Sequence, residues 1–355
     1  MDRRRLMMGA LLGSGAMASD ALAAGSPAAD SGPDIWAAPR LPPRVRVMSD
    51  NDYAGDPDGL VQLAHLLLSP TVDVRAVIGS HLRPHDPLDP SPDVAEKAAR
   101  IARQVAGLAG RDEALPIIAG SNVGLADGNT PIASAAARAI VAEAMREDAK
   151  LPLYVTCGAG LTEIASAWMI EPRIAKRLTL VWIGGPEYPD LAPPPPGAEE
   201  MEYNLAIDPI AARVVFNDSD LDIWQVPRNL YRTAIASRSE LMLRLRSRGE
   251  LGRFLFGRIS RVIGLIAQYG FASSETYILG DSPLVLLTAL QTPFQPAPAS
   301  CAYVTRPCPR LSARGRYEDA PAGRPIRVYT SLDTRLLFED LFAKLQMHAE
   351  GGQVA

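Results

Sequence analysis

Apolar positions along this chain fall into two patterns. Short β-branched runs predict strands at Val45–Ser49, Val72–Gly79, Leu115–Ala119, Leu153–Thr156, Leu178–Ile183, Ile223–Val226 and Pro325–Tyr329. Between them, Leu60–Leu68, Val94–Leu108, Ile132–Glu147 and Leu161–Met169 repeat their apolar residues every three or four positions, the spacing of amphipathic helices. Strands alternating with helices imply an α/β fold, a mostly parallel open sheet with helices on both faces. No repeat and no break in composition divides the pattern, so residues 44–348 read as one domain. Residues 24–43 are rich in Ala, Pro, Ser and Gly and read as a linker, and 349–355 as a tail. The proline-rich stretch from Tyr188 to Met201 is a long connection inside the domain, either a binding loop or a solvated spacer.

The first residues have a different logic. Arg3, Arg4 and Arg5 precede an apolar run from Leu6 to Ala18, and Ala21-Leu22-Ala23 supplies small residues for cleavage. Residues 1–23 therefore read as a bacterial export signal of the twin-arginine or Sec type, too short to span a bilayer comfortably. The expected location is periplasmic or secreted, with no membrane contact after the signal is removed. Export would permit Cys301 and Cys308 to pair, though nothing in the sequence shows that they do. With Cys157 there are three cysteines in 355 residues, too few for a disulfide scaffold and without zinc-ligand spacing. A formal net charge of −4 excludes a strongly basic nucleic-acid binder, and 6% aromatic residues leave little for base-stacking platforms.

The most informative segment closes the first predicted strand: Ser49-Asp50-Asn51-Asp52-Tyr53-Ala54-Gly55-Asp56-Pro57-Asp58-Gly59-Leu60. In open α/β sheets ligands sit beyond the carboxyl ends of the strands, which is where these four carboxylates land. Crowded carboxylates repel unless a cation or protons neutralise them. Oxygen-only donors suit a hard cation such as Ca²⁺ or Mg²⁺. The plainer explanation, an acidic turn capping a helix, accounts for one or two of the four. The EF-hand spacing is missing.

These residues, with three later segments, resemble the inosine–uridine nucleoside hydrolase family. That family opens on a strand followed by D-x-D-x-G-x-D-D-A-L. Here Thr156-Cys157-Gly158-Ala159-Gly160-Leu161-Thr162-Glu163-Ile164-Ala165 resembles its T-G-x-L-T-N-[IL]-A segment, with Glu171-Pro172 following. Leu180-Val181-Trp182-Ile183-Gly184-Gly185 is similar to its L-x-x-M-G-G strand end, and Glu202-Tyr203-Asn204-Leu205-Ala206-Ile207-Asp208-Pro209 to its E-[FY]-N-x-x-x-D-P. The resemblance implies a Rossmann-like core, a Ca²⁺ cofactor, and hydrolysis of small-molecule nucleosides or ribosides. Homo-oligomers are common in the family, but no interface can be read from this sequence.

Carried over position by position, the resemblance makes Asp52 a metal ligand and the base for the attacking water, with Asp50 behind it fixing its orientation. Matching Gly59-Leu60 to the family's Ala-Leu makes Asp58 a metal ligand, leaves Asp56 as the second catalytic carboxylate on the ribose, and treats Pro57 as an insertion. The other register puts Gly59 at the ligand position and loses a carboxylate. Thr156 supplies a backbone carbonyl, with Cys157 the alternative, and Glu202 and Asn204 hold ribose hydroxyls. The base falls to the Arg228-Asn229-Tyr231 loop, to Tyr277 and to Trp182, the aromatic residues being equally well explained as core.

The last family motif is altered. The family has a His-Asp pair there, whose His protonates or orients the leaving base. Tyr277-Ile278-Leu279-Gly280-Asp281-Ser282-Pro283-Leu284 keeps Asp281 at the metal position but has Gly280 in place of the His. His81, after the second strand, is the best remote substitute; His65 reads as structural, His85 as a loop residue and His348 as part of the C-terminal tail. A positioned acid contributes about 10²–10⁴ in rate, so its loss shifts preference towards better leaving groups. Two other readings stand beside ribonucleoside hydrolysis: a hydrolase of another furanoside or modified nucleoside, and a non-catalytic sugar- or nucleoside-binding relative. A haloacid-dehalogenase-like phosphatase also places D-x-D after a first strand, but fits the later segments less well.

Overall fold

Val45–Asn51 forms β1, the strand on which the molecule is organised, buried from Arg46 to Asn51 because it has a parallel neighbour on each side. In this computed structural model, residues 41–111, 114–268, 274–291 and 301–351 are described, and they belong to one compact unit. The segment expected to be an export signal, and all but the last three of the residues expected to form a linker, lie outside the described residues.

In chain order the elements are β1, α1 (Asp58–Leu67), β2 (Val72–Gly79), α2 (Val94–Leu108), β3 (Ile117–Ala119), α3 (Ala135–Ala144), β4 (Leu153–Cys157), α4 (Thr162–Ile170), β5 (Leu178–Ile183), α5 (Tyr203–Ile207) and β6 (Asp222–Val226). A small antiparallel ladder of β7 (Ile235–Ser237) and β8 (Thr276–Ile278) follows. The chain then adds β9 (Tyr303–Pro307), the two-residue strands β10 (Arg310–Leu311) and β11 (Tyr317–Glu318), and β12 (Pro325–Tyr329). Eight strands make one sheet in the order β3-β2-β1-β4-β5-β6-β12-β9, parallel except at the β9 edge. This is the mostly parallel α/β sheet expected from the alternation of strands and helices.

Successive residues of each strand face opposite layers, as the two-residue period of a strand requires. Val77, Val181 and Ile183 point into an apolar cluster with α1, α2, and the helices Gly249–Gln268 and Thr334–Ala349. Met48, Ile78, Leu180 and Trp182 point into a second cluster with α3 and α4. Cys301 is buried in the first cluster and Cys308 in the second, rather than against one another. Helix α3 begins at Ala135, three residues later than its apolar spacing suggests. Ser134 accepts a hydrogen bond from Ala137 N at 2.9 Å and so fixes the N-cap.

The topology locates the site. After β1 the chain moves outward through β2 and β3, then returns to place β4 on the other side of β1. Such a switch opens a crevice at the carboxyl ends of the two central strands, because their outgoing connections diverge there. Asp50, Asn51 and Asp52 close β1 at that crevice.

Candidate active site

Asp52, Asp56, Asp58 and Asp281 converge on a cavity of about 230 Å³ at the switch, which Glu202 and Asn204 also line. The loop after β1 does this economically. Gly55 N donates to Asp52 O at 2.7 Å, turning the chain so that Asp52, Asp56 and Asp58 all face the same space. Asp56 Oδ1 accepts from Asp58 N at 3.3 Å and from the Tyr277 hydroxyl at 2.6 Å. Asp58 Oδ1 accepts from Gly59 N at 2.8 Å, and its other oxygen faces Asp281 N at 3.2 Å. Helix α1 has Pro57 at its N-cap and no side-chain cap, so helix capping accounts for neither oxygen of Asp58; each accepts from a backbone N–H.

The electrostatics are those of uncompensated charge. Burial pushes Asp52 well above the usual carboxylate range, and Asp281, Asp56 and Asp86 add to the shift. Asp58 is raised well above its ordinary value by burial, then by Asp281, Asp56 and Asp52. Burial raises Asp281 to about 7, with Asp56 and Glu202 also raising it and the Asn51 hydrogen bond opposing. Asp56 is raised by burial against the pull of Tyr277. Among the described residues none of these four carboxylates has an ion pair with Lys, Arg or His. Clustered carboxylates, buried at Asp52 and Asp281 and half-buried at Asp56 and Asp58, without a basic partner and offering only oxygen donors, have the chemistry of a hard divalent-cation site. No three His, Cys, Asp or Glu side chains among the described residues close into a finished metal cage. The fit is thus one of donor type and charge rather than of preformed coordination.

The other residues singled out in the sequence fall into three groups. Asp50 is fully buried at the end of β1, one oxygen accepting from the Ser80 hydroxyl and Oδ2 without a hydrogen-bond partner among the described residues. Glu202 reaches the cavity, but its oxygens already accept from Asn204 N, Leu205 N, Gly185 N and the Tyr231 hydroxyl. That takes up the roughly four acceptor positions of a carboxylate. Asn204 donates Nδ2 to Ile183 O at 2.8 Å, and its side chain lines the cavity. Tyr277 stands behind Asp56 rather than on the cavity wall. Thr156 is buried in β4 with its hydroxyl 3.4 Å from Met48 O; Gly158, two residues on, forms the wall.

Arg228 is placed elsewhere. Its guanidinium grips Glu187 through two hydrogen bonds of 2.9 and 2.7 Å and donates to Glu199 O at 2.7 Å. It fastens both ends of the proline-rich connection, whose Tyr188 stacks on Tyr317 at 4.3 Å. That segment is an anchored surface connection; Arg232, not Arg228, lines the cavity. Burial pushes Glu187 up, but the Arg228 fork holds it below its ordinary value. Breaking a buried ion pair costs about 3–5 kcal/mol, and a surface connection that can hydrate Glu187 recovers part of this. Arg228→Ala is therefore expected to lose about 2 kcal/mol in urea unfolding with a small change in KM. A large rise in KM at unchanged stability would instead make Arg228 a substrate contact.

Among the residues not read from the sequence as site residues, Asn51 supports the cavity from outside its lining, and Tyr203 and Leu88 line it. Asn51 donates Nδ2 to Asp281 Oδ2 at 2.8 Å, tying the end of β1 to the distant Asp281 loop. Tyr203 lines the cavity while its hydroxyl donates to Asp86 at 2.8 Å, and Leu88 lines it from the loop after β2. Asn51 lay between two flagged aspartates, but a single Asn at a strand end carries no signal of its own. Trp182 is core, its Nε1 donating to Ala159 O. His81 is fully engaged, with Leu82 O and the Thr162 hydroxyl at 2.9 Å each, and does not line the cavity. His65 is held by Asp340, and His348 contacts Leu108 O.

At Gly280 the wall is backbone against an aromatic ring. A Cβ there would stand 3.2 Å from Tyr231 Cδ2 and 3.3 Å from Asp58 Oδ2. The ring of Tyr231 thus crowds the space a longer side chain would need. Gly280→His is expected to fold but to lower turnover, by up to about 10²-fold, because it displaces Tyr231 or Asp58 by a fraction of an ångström or more. A gain in turnover would show that the space is open.

The fold and site together define a hydrolase acting on N-glycosyl compounds. The chain matches the inosine-uridine preferring nucleoside hydrolase family over residues 47–305, and it belongs to that family. Among solved structures it is similar in fold to a purine-preferring ribonucleoside hydrolase from Gardnerella vaginalis (15% identity, 86% of this chain and 100% of that one, TM-score 0.66). A plant nucleoside hydrolase is similar at 20% identity, covering 86% and 99%, with a TM-score of 0.63. An inosine-uridine preferring nucleoside hydrolase from Bacillus anthracis follows at 16% identity, covering 85% and 99%, with a TM-score of 0.59. No curated protein matches the chain.

Proposed function

We propose that this protein, exported to the periplasm or secreted, hydrolyses the N-glycosidic bond of ribonucleosides in a Ca²⁺-dependent reaction that releases ribose and base. The observation that carries the reading is the convergence of four carboxylates, none with a basic ion-pair partner among the described residues, on one cavity that Asn204 also lines. Asp52, Asp58 and Asp281, with the Thr156 carbonyl implied by the family motif, are the proposed cation-holding groups. A cation there neutralises their repulsion and makes water more acidic.

The remaining chemistry belongs to the chain's own residues. Cleavage of a ribosyl C–N bond passes through an oxocarbenium-like state, which the surrounding carboxylates favour electrostatically. Asp52 accepts the proton of the attacking water, and the family motif puts Asp50 in support of it. Asp56, held by the Tyr277 hydroxyl, and Asn204, held by Ile183 O, receive ribose hydroxyls on side chains whose own orientation is fixed. Glu202 works through others, holding α5 and Tyr231 in place. Tyr203 and Tyr231 offer flat walls for a base.

Gly280 and the absence of a cavity-lining histidine favour a good leaving group, which keeps a second substrate class, another furanoside or modified nucleoside, in view. The test is ribose release by the mature protein, starting at Ala24, from inosine, uridine and p-nitrophenyl riboside, with and without EDTA. Chelator-sensitive release with the nitrophenyl riboside preferred is the expected result. Calcium binding with no release from any riboside would leave another furanoside or a binding function instead.

A further inference from the structure

The cavity of the candidate site is not uniformly acidic. Arg232 is the one basic side chain among the described residues that line it. It follows Tyr231 at the end of the short helix Arg228–Tyr231, where its backbone N–H donates to Arg228 O and Leu230 O. Its guanidinium has no hydrogen bond or ion pair among the described residues. Its charge reaches Tyr231 and Glu187, but the fork of Arg228 already takes up both oxygens of Glu187.

Burial gives the cavity a direction. Asp52 and Asp281 are buried, Tyr231 is half-buried and Arg232 is exposed, so the walls run from an acidic floor to a basic mouth. Gly280 shares the wall of Tyr231, whose Cδ2 would be 3.2 Å from a Cβ at that glycine. A ribose received by Asp56 and Asn204 over the floor turns its base towards the mouth, where Tyr231 and Arg232 stand. The reaction separates charge along the same direction. As the C1′–N bond breaks, the sugar becomes positive and the bonding pair moves onto the ring nitrogen of the base. Carboxylates stabilise the first charge and a guanidinium the second. Arginine stays protonated in proteins, so what it supplies here is charge and hydrogen bonds rather than a proton.

We propose that Arg232 is the catalytic residue of the leaving-group side: its guanidinium contacts the base and stabilises the negative charge the base carries as it departs. The oxygen of water bonds to C1′, its proton passes to Asp52, the bonding pair leaves with the base, and the base anion takes a proton from solvent at the mouth. The substrate class is then ribosides whose base departs as an anion, with cationic rings disfavoured. The catalytic role rests on the hydrolase reading; the contact with an anionic base does not, and the two are measured apart.

Wild type, Arg232→Gln and Arg232→Lys are compared, with calcium present, on inosine, p-nitrophenyl riboside and nicotinamide riboside, whose positive ring departs neutral. In parallel, calorimetry measures binding of uracil, which is neutral, and of 5-nitrouracil, an anion at neutral pH. The proposal expects Arg232→Gln to lower kcat/KM for inosine about tenfold or more, mostly through kcat, since hydrogen bonds to charged groups are the strong ones and this one grows as the bond breaks. The loss is smaller for p-nitrophenyl riboside, whose phenolate is stable without help, and nicotinamide riboside is cleaved faster. Lysine, which keeps the charge without the planar fork, restores part of the inosine rate. Wild type binds 5-nitrouracil more tightly than uracil, and Arg232→Gln loses the difference. Losses that are equal on the three ribosides, or absent, overturn the catalytic role. Binding of 5-nitrouracil that is no tighter than uracil, or unchanged in Arg232→Gln, overturns the contact. Arginine-dependent binding of 5-nitrouracil, with no cleavage of any riboside by the wild type, upholds the contact and removes the hydrolase reading.

Discussion

Asp52→Asn is expected to cut ribose release by about 10³-fold while raising the stability of the chelated protein. The two effects have one cause. Asp52 is buried beside Asp281, Asp56 and Asp86, and without a cation its charge is disfavoured. Asparagine keeps the shape and removes the repulsion, so the cation-free fold gains about 1 kcal/mol or more, as when any buried like-charge contact is relieved. The same change removes the proton acceptor for water, and positioned bases contribute about 10²–10⁴ in rate. Turnover and thermal melts with EDTA on the same preparations decide the matter. A variant that loses both activity and stability would make Asp52 a structural residue.

Removing the cation is the second large perturbation. Chelation is expected to abolish turnover and to make stability depend on pH with an unusual sign. The folded-state value of Asp281 is about 7 in the absence of a cation, above the ordinary 3.8. The folded chelated protein therefore binds more protons than the unfolded chain between those values. Stability from this group is fully present below the unfolded value and is lost as pH rises through about 7. Asp52 and Asp58, raised as well, act in the same direction. A cation replaces the protons, so the gap in melting temperature between calcium-loaded and chelated protein should widen from pH 5 to pH 8. At a concentration about 100 times its dissociation constant a ligand adds about 2.7 kcal/mol. A gap that is constant with pH, or absent, would place the cation elsewhere.

The central sheet was legible because a parallel sheet is specified by local apolar runs. β2, β5 and β12 match their predicted ranges, and β1, β4 and β6 differ by one or two residues at an end. What escaped was specified by tertiary context. β9, read as Tyr-Val-Thr-Arg-Pro, is an exposed antiparallel edge with no continuous apolar run. The helix Gly249–Gln268 escaped for no such reason: it buries Leu251, Leu255, Ile259 and Val262 at three- and four-residue spacing, an amphipathic stripe present in the sequence but absent from the helices read there.

At the site, the acidic loop was readable because four carboxylates in nine positions have no ordinary explanation, and the structure brings Asp52, Asp56 and Asp58 to one cavity. Its partners across the sheet were less so. Asn51, Tyr203 and Leu88 act through where the fold carries them, and nothing in their neighbours announces it. Arg228 shows the converse, since a conspicuous arginine after β6 is held by Glu187 and Glu199, whose approach only the folded connection creates. His81 was a reasonable substitute for the histidine missing at Gly280, being at the same sheet edge, but both its nitrogens are engaged within the protein.

The measurement closest to the central claim follows the oxygen. Wild-type protein with calcium is incubated with inosine in heavy-oxygen-labelled water, free of phosphate, and the products are resolved by mass spectrometry. The account predicts free base and ribose in equal amounts, with one labelled oxygen on the ribose. Release that requires phosphate, ribose without label, or an intact nucleoside bound but never cleaved would contradict it.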